Sequence, residues 1–161
     1  MHTSSHREMK NILNKYCRNL ENITVADIGS FDVNGCYKNL IKDSWKYIGV
    51  DIAEGKNVDI VMENSKVIPL ETDSIDLVIS GQCIEHCKTP WILVEEMSRI
   101  LKPGGLCIIT APAIWQVHRY PVDCFRYYPD GMRSLMEEAC LTVIKTYVNP
   151  EKGLKRKPFG D

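Results

Sequence analysis

Val25-Ala26-Asp27-Ile28-Gly29-Ser30 decides the fold, together with Tyr47-Ile48-Gly49-Val50-Asp51 further along the chain. The first is an apolar run closing on a glycine; the second is an apolar run closing on an acid. Gly29 lets the backbone turn sharply where a Cβ would obstruct a close ligand. Asp51 follows Asp27 at about the 20-residue spacing at which a carboxylate can accept hydrogen bonds from a ribose diol. Open α/β sheets present amides and a carboxylate to nucleoside-bearing ligands in this way, at the carboxyl ends of their strands.

Working outward, strand and helix signals alternate. Residues 7–20 carry Met9, Ile12, Leu13, Tyr16 and Leu20 at helical spacing, which predicts an amphipathic helix covering one edge of the sheet. Strands are predicted at Thr24–Ile28, Tyr47–Ile52, Val58–Met62, Leu77–Ser80, Leu106–Thr110 and Leu141–Val148. A short helix is expected from Cys36 to about Lys42, and longer ones over 91–101, with Pro90 in the first turn, and about 130–139. Lys102-Pro103-Gly104-Gly105 is expected to stop the second of these and reverse the chain. Repeated βα units predict a doubly wound, mainly parallel, Rossmann-like sheet of about six strands with right-handed crossovers. The expectation is one domain over 1–161, with an N-terminal helix in 1–21 and a polar tail over 149–161.

Composition narrows the class. The 161 residues are 44% hydrophobic and 25% charged, enough for one real core. A net charge of −1 supplies no basic field, so nucleic-acid binding is not favoured. There is no apolar run of about 18 residues to span a membrane. Met1-His2-Thr3-Ser4-Ser5-His6 lacks an apolar signal core, so a cytoplasmic protein is expected. In that compartment the scattered cysteines, Cys17, Cys36, Cys83, Cys87, Cys107, Cys124 and Cys140, are read as reduced thiols.

The glycine turn also bears on the ligand. Gly29-Ser30-Phe31-Asp32-Val33-Asn34-Gly35 has bulky Phe31 where a second glycine would admit a pyrophosphate, which argues against a nicotinamide enzyme. No phosphate-cradling G-x-x-x-x-G-K-[ST] is present. A nucleoside cofactor without phosphates fits better. With Ile68-Pro69-Leu70 before Asp76-Leu77-Val78, Ile84-Glu85-His86, and Arg99-Ile100-Leu101-Lys102-Pro103-Gly104-Gly105, the ordered set resembles a class I S-adenosylmethionine-dependent methyltransferase of the small, methyltransferase-11-like type. The resemblance covers about residues 23–148.

The resemblance implies S-adenosylmethionine as cofactor and assigns residues by position. Asp27, Gly29 and Ser30 match the motif that approaches the methionine part. Asp51 matches the carboxylate on the ribose hydroxyls, with Ile52 beside the adenine. Glu63 and Asn64 match the place where a side chain reads the adenine amino group, although Asp is usual at the second position. Gln82 matches a flank of the methionine end, and His86 lies one helical turn beyond it.

Methyl transfer from a sulfonium needs a positioned acceptor and, for a hydroxyl or a protonated amine, a base. Trp115 to Tyr128 is dense in aromatic, basic and hydrogen-bonding groups and too irregular for an amphipathic helix, as functional loops are. His118 is the base candidate, because its ordinary pKa lies near neutrality. Asp123 either orients it or binds substrate hydroxyls, and Arg119, Tyr120 and Arg126 are placed on the acceptor side. Alternatively His118, Asp123 and Arg126 form a structural network that fixes the loop. Cys83, His86 and Cys87 have spacing that brings them together, but no second pair completes a four-ligand structural site, so no metal is expected.

The acceptor is expected to be a small molecule or glycan. The alternative function is a catalytically inactive cofactor-binding or interaction module. The final antiparallel strand usual in such folds is missing from the sequence. The chain is therefore read as a fragment, as completed by a partner, or as leaving an open edge through which a homodimer can form.

Overall fold

The structure is a computed structural model and describes residues 3–149. Its centre is a five-stranded parallel sheet ordered β3-β2-β1-β4-β5. The strands are β1 (Thr24–Ile28), β2 (Lys46–Asp51), β3 (Ile60–Val61), β4 (Ile75–Gly81) and β5 (Leu101–Thr110). The helices are α1 (Thr3–Tyr16), α2 (Pro90–Ile100) and α3 (Pro129–Glu138). Two 3-10 turns, Lys38–Leu40 and Ile84–His86, complete the described elements.

Period-two alternation divides the strand side chains between two cores. Val25, Leu77, Ile79 and Ile108 pack with Met9, Leu13 and Cys17 on one side of the sheet. Ala26, Ile28, Val50 and Val78 pack with Leu93, Val94, Met97 and Ile100 on the other, where α3 adds Met132, Leu135 and Met136. Helices on both faces make the sheet doubly wound, as the sequence predicts. The predicted first helix differs in place: it begins at Thr3, ends at Tyr16, and covers a face rather than an edge. Ser5, Met9 and Leu13, four residues apart, form its buried stripe.

The Lys102–Gly105 turn is built into β5. Ile75 pairs with Leu101 but Leu77 pairs with Leu106, so the intervening residues of β5 loop out of the ladder. Gly104 has φ +80 there, a conformation that glycine adopts without strain. Lys102 Nζ reaches Asp76 Oδ1 at 2.8 Å, and Asp76 Oδ2 accepts the Thr24 amide at 2.8 Å.

Among the described residues the sheet has five strands, close to the about six expected, and the predicted strand Leu141–Val148 is not formed. The outer edge of β5 and residues 140–149 line one cavity of about 1400 Å³, and among the described residues the segment pairs with no strand. It is tied instead to α1, where Glu8 accepts hydrogen bonds from Tyr147 Oη and, at 2.6 Å, from Asn149 Nδ2. The predicted polar tail from residue 150 onward lies outside the described residues.

A helix of 14 residues is marginal alone, so α1 depends on its docking. Met9→Ala is expected to cost about 2–5 kcal/mol. Thermal unfolding would show this as a lowered midpoint, accompanied by lost amide protection along α1.

Candidate active site

The carboxyl ends of β1, β2 and β4 lie side by side, because β1 is paired with both others. Gly29 turns out of β1 with φ +85, and its amide donates to Val50 O at 2.8 Å. A Cβ at Gly29 would stand 2.6 Å from Cβ and Sγ of Cys83, so glycine is required by both conformation and space. Asp51, half-buried at the tip of β2, takes the Phe31 amide at 3.0 Å on one oxygen and the Ala53 amide at 3.1 Å on the other. Each oxygen retains a lone pair for an outside donor. Ile52 next to it is 51% exposed, an apolar surface beside the carboxylate. The Phe31 ring lies over Gly55, where any Cβ would meet it at 2.2 Å. The bulky residue in the turn is therefore accommodated by a second glycine.

Asp27 and Ser30 are buried behind this turn. Asp27 Oδ2 accepts the Tyr47 hydroxyl at 2.9 Å, while Oδ1 and the Ser30 hydroxyl have no hydrogen-bond partner. Burial pushes the Asp27 carboxyl up to about 7, against the lowering effect of the Tyr47 bond. Glu63 and Asn64 are exposed just past β3, with Asn64 Oδ1 accepting the Lys66 amide at 2.9 Å. Gln82 follows β4 with φ +56, and its amide bonds Thr110 O at 2.8 Å. A side chain held in that region costs on the order of 1 kcal/mol and persists where surrounding contacts fix it.

The 111–128 connection carries no helix or strand and is held by the Ile84–His86 turn. Glu85 O accepts the Cys124 and Phe125 amides at 2.8 and 3.2 Å, and Tyr127 Oη donates to Ile84 O at 3.1 Å. His86 Nδ1 lies 2.6 Å from Val122 O, so that nitrogen carries the proton. The His86 and His118 rings meet edge to face, with centroids 4.9 Å apart. His86, assigned to the cofactor by position in the sequence, is thus joined to the loop that carries His118.

Within the loop, Asp123 accepts the His118 amide at 2.7 Å and takes a two-pronged contact from Arg126 at 2.5 and 2.7 Å. The guanidinium holds the Asp123 carboxyl well below the usual carboxylate range. Arg126 also donates to Phe125 O and Gln116 O, so it acts as an internal clamp on the loop. His118 Nδ1 stands 3.5 Å from Asp123 Oδ2. Arg119 and Tyr120 are exposed on the same loop.

Sequence reasoning missed Glu85 as a site residue. Its side chain is fully buried, neither carboxylate oxygen has a hydrogen-bond partner, and burial pushes its pKa up to about 7. Its place beside His86 in a motif was visible in the sequence; its burial under the loop depends on contacts far along the chain. Tyr37 was missed as well. Its hydroxyl joins Ser5 at 2.6 Å and Thr110 at 3.2 Å, fixing α1 over the ends of β4 and β5.

Residues 34–109 match the family described as a methyltransferase domain. An uncharacterized methyltransferase of Mycolicibacterium gilvum (strain PYR-GCK) is 29% identical over 101 residues, 55% of this chain and 39% of that relative. The chain thus spans well under half of that relative's length. A SAM-dependent methyltransferase from Aquifex aeolicus superposes with a TM-score of 0.61, covering 86% of this chain and 88% of its own at 18% identity. The complex of the Haloferax volcanii Trm112 methyltransferase activator with its methyltransferase gives 0.63, over 84% of this chain and 68% of that one at 20% identity. The match over residues 34–109 and the curated relatives are those of methyltransferase domains, and the solved structures share the α/β fold.

Asp27 makes stability depend on pH. Its carboxyl ionises near 3.8 when free and at about 7 when folded. The stability contributed by Asp27 is therefore full below about pH 4 and is lost as pH rises through about 7, because the unfolded chain gives up the proton first. Asp27→Asn is expected to remove this loss. Its melting temperature should gain on the parent more near pH 8 than near pH 5, and a constant difference would place an ionised Asp27 in the folded protein.

Proposed function

We propose that the chain transfers a methyl group from S-adenosylmethionine to a hydroxyl or amine of a small molecule or glycan. The observation that carries this is the pairing of Gly29 and Asp51 at adjacent strand ends, bridged by the Phe31 amide on the Asp51 carboxylate. The residues present suit the cofactor. Asp51 takes both ribose hydroxyls, Ile52 packs on the adenine, and Glu63 with Asn64 borders its amino group. Gly29, Gln82 and the orphaned polar atoms of Asp27 and Ser30 border the methionine end. His86 reaches this region from the loop side. When bound, S-adenosylmethionine supplies a sulfonium methyl with a neutral thioether as leaving group.

The chain's own task is then positioning and proton removal. His118 takes the acceptor's proton, with Asp123 behind it as the orienting carboxylate. Arg126 acts through Asp123, and the exposed Arg119 and Tyr120 contact the acceptor. An alternative, binding of the cofactor without turnover, draws on the Asp123–Arg126 pair, whose charges are satisfied by one another. All seven cysteines are free thiols, which supports a reducing compartment such as the cytoplasm. No helix of the described residues is long and apolar enough to cross a membrane.

Among the described residues β5 is paired on one side only. The Haloferax protein is seen with an activator protein, and an unpaired edge supports association of this chain as a homodimer. Light scattering on the purified chain should give twice the chain mass; a monomer at all concentrations would remove the homodimer.

Calorimetric titration tests the cofactor. S-adenosylmethionine should bind, and Asp51→Ala should weaken binding about 10- to 100-fold, as expected for lost charge-assisted hydrogen bonds. Equal affinity would make Asp51 a bystander, and absence of binding to the parent would end the proposal. His118→Ala should leave cofactor affinity within about twofold while lowering methyl transfer to hydroxyl acceptors about 100-fold or more. Undiminished transfer would remove His118 as the base.

A further inference from the structure

We propose that Glu85, His86 and His118 form a binding site for one zinc-class divalent metal ion. One ligand atom from each of the three lies within 4.8 Å of the other two. Three points at that separation lie about 2.8 Å from their centre, so an inward shift of about 0.7 Å reaches the ~2.1 Å bonds of zinc to nitrogen and carboxylate oxygen. Two neutral imidazoles and one carboxylate are a donor set that zinc accepts with a fourth position left open.

Glu85 supplies the independent indication. Its side chain has no exposed surface, and neither oxygen meets a hydrogen-bond donor. A buried carboxylate in that state is costly, and a cation beside it removes the cost. Arg126 forks onto Asp123 and acts on Glu85 by charge alone, without a hydrogen bond to either of its oxygens.

Both histidines are set as metal ligands usually are. His86 has Nδ1 committed to Val122 O at 2.6 Å, which leaves Nε2 without a proton, 3.9 Å from Glu85 Oε1. His118 is backed by the Asp123 carboxylate and is bound only loosely by Gln116 O at 3.3 Å, so its ring can turn to an ion. A carbonyl behind one imidazole and a carboxylate behind the other are the outer partners that orient ligating rings. The His118 side chain is 33% exposed, which leaves a path from solvent to the open position. Cys83 and Cys87, the other ligand types in this stretch, are not needed for the set.

The site explains why Glu85 is buried facing two histidines from different segments. In the metal-loaded protein the Nε2 lone pair of His118 is held by the ion, so His118 serves as base only in the metal-free protein. The open position is where an acceptor oxygen would be held; this last assignment alone rests on the methyl-transfer proposal.

The test is calorimetric titration of the full chain with zinc chloride at pH 7 after chelator treatment, without S-adenosylmethionine, so the result is independent of cofactor binding. One ion per chain is expected. Glu85→Gln and His118→Ala should each weaken it at least about tenfold, and Asp123→Asn should weaken it by a similar factor through the outer shell. Circular dichroism checks that each variant is folded, and His118→Ala, at a part-exposed position, keeps the test open if Glu85→Gln fails to fold. A cobalt(II) spectrum of the parent should lack the sulfur-to-metal charge-transfer band. No zinc binding to the parent, equal affinity in a folded His118→Ala, or a thiolate band would each overturn the site.

Discussion

The hydrogen bonds between the Ile84–His86 turn and the 111–128 connection are what the rest of the site depends on. Eighteen residues without helix or strand must be ordered by something other than their own ladder. Here the order comes from Glu85 O, Ile84 O and the His86 ring, which between them hold Cys124, Phe125, Tyr127 and Val122. The turn is anchored, because Ile84 and Glu85 are fully buried just beyond the end of the interior strand β4. One end of β4 therefore sets both the Gln82 backbone beside Gly29 and the position of His118. The two halves of the site are coupled through a single strand end.

That coupling explains the strained and costly features clustered there. Gly29 has to pass Cys83 with no room for a Cβ, and Gln82 holds φ +56. Asp27 and Glu85 are buried carboxyls on either side, each pushed up to about 7 by loss of solvent. A protein selected for stability alone would fill these positions with apolar residues, as happens when buried ionic groups are replaced without penalty. Asp27 is paired with the Tyr47 hydroxyl from the neighbouring strand, whereas the Glu85 carboxylate has no hydrogen-bond partner and only the His86 ring 3.9 Å away. Asp27 lies within the sheet beside Ile79 and Glu85 in the turn beyond β4, and the Glu85 carboxylate lies beside the His86 ring.

The parts legible in the sequence were those that local pattern dictates. β1, β2, β4 and α2 follow from buried runs, a proline at the first helical turn and the glycine stops. The Gly29–Asp51 pair is visible because each residue sits at a strand end. Leu141–Val148 has the composition of a strand, yet composition cannot supply a neighbour for its backbone, and among the described residues it pairs with none. The meeting of His86 and His118 was hidden for the same kind of reason. It depends on where an irregular loop returns to the sheet, which no periodicity encodes.

The contrast between Asp123 and Glu85 shows how neighbouring carboxylates come to different roles. Asp123 is nearly buried but carries the Arg126 fork and the His118 amide, so its charge is settled within the loop. It can orient His118 without being consumed by substrate. Glu85 sits deeper, with its backbone carbonyl holding the loop and its side chain left unmatched. Its main chain does structural work that Gln at this position would do equally well. The carboxylate is therefore not explained by the fold, and what remains for it is the space it shares with the two imidazole rings.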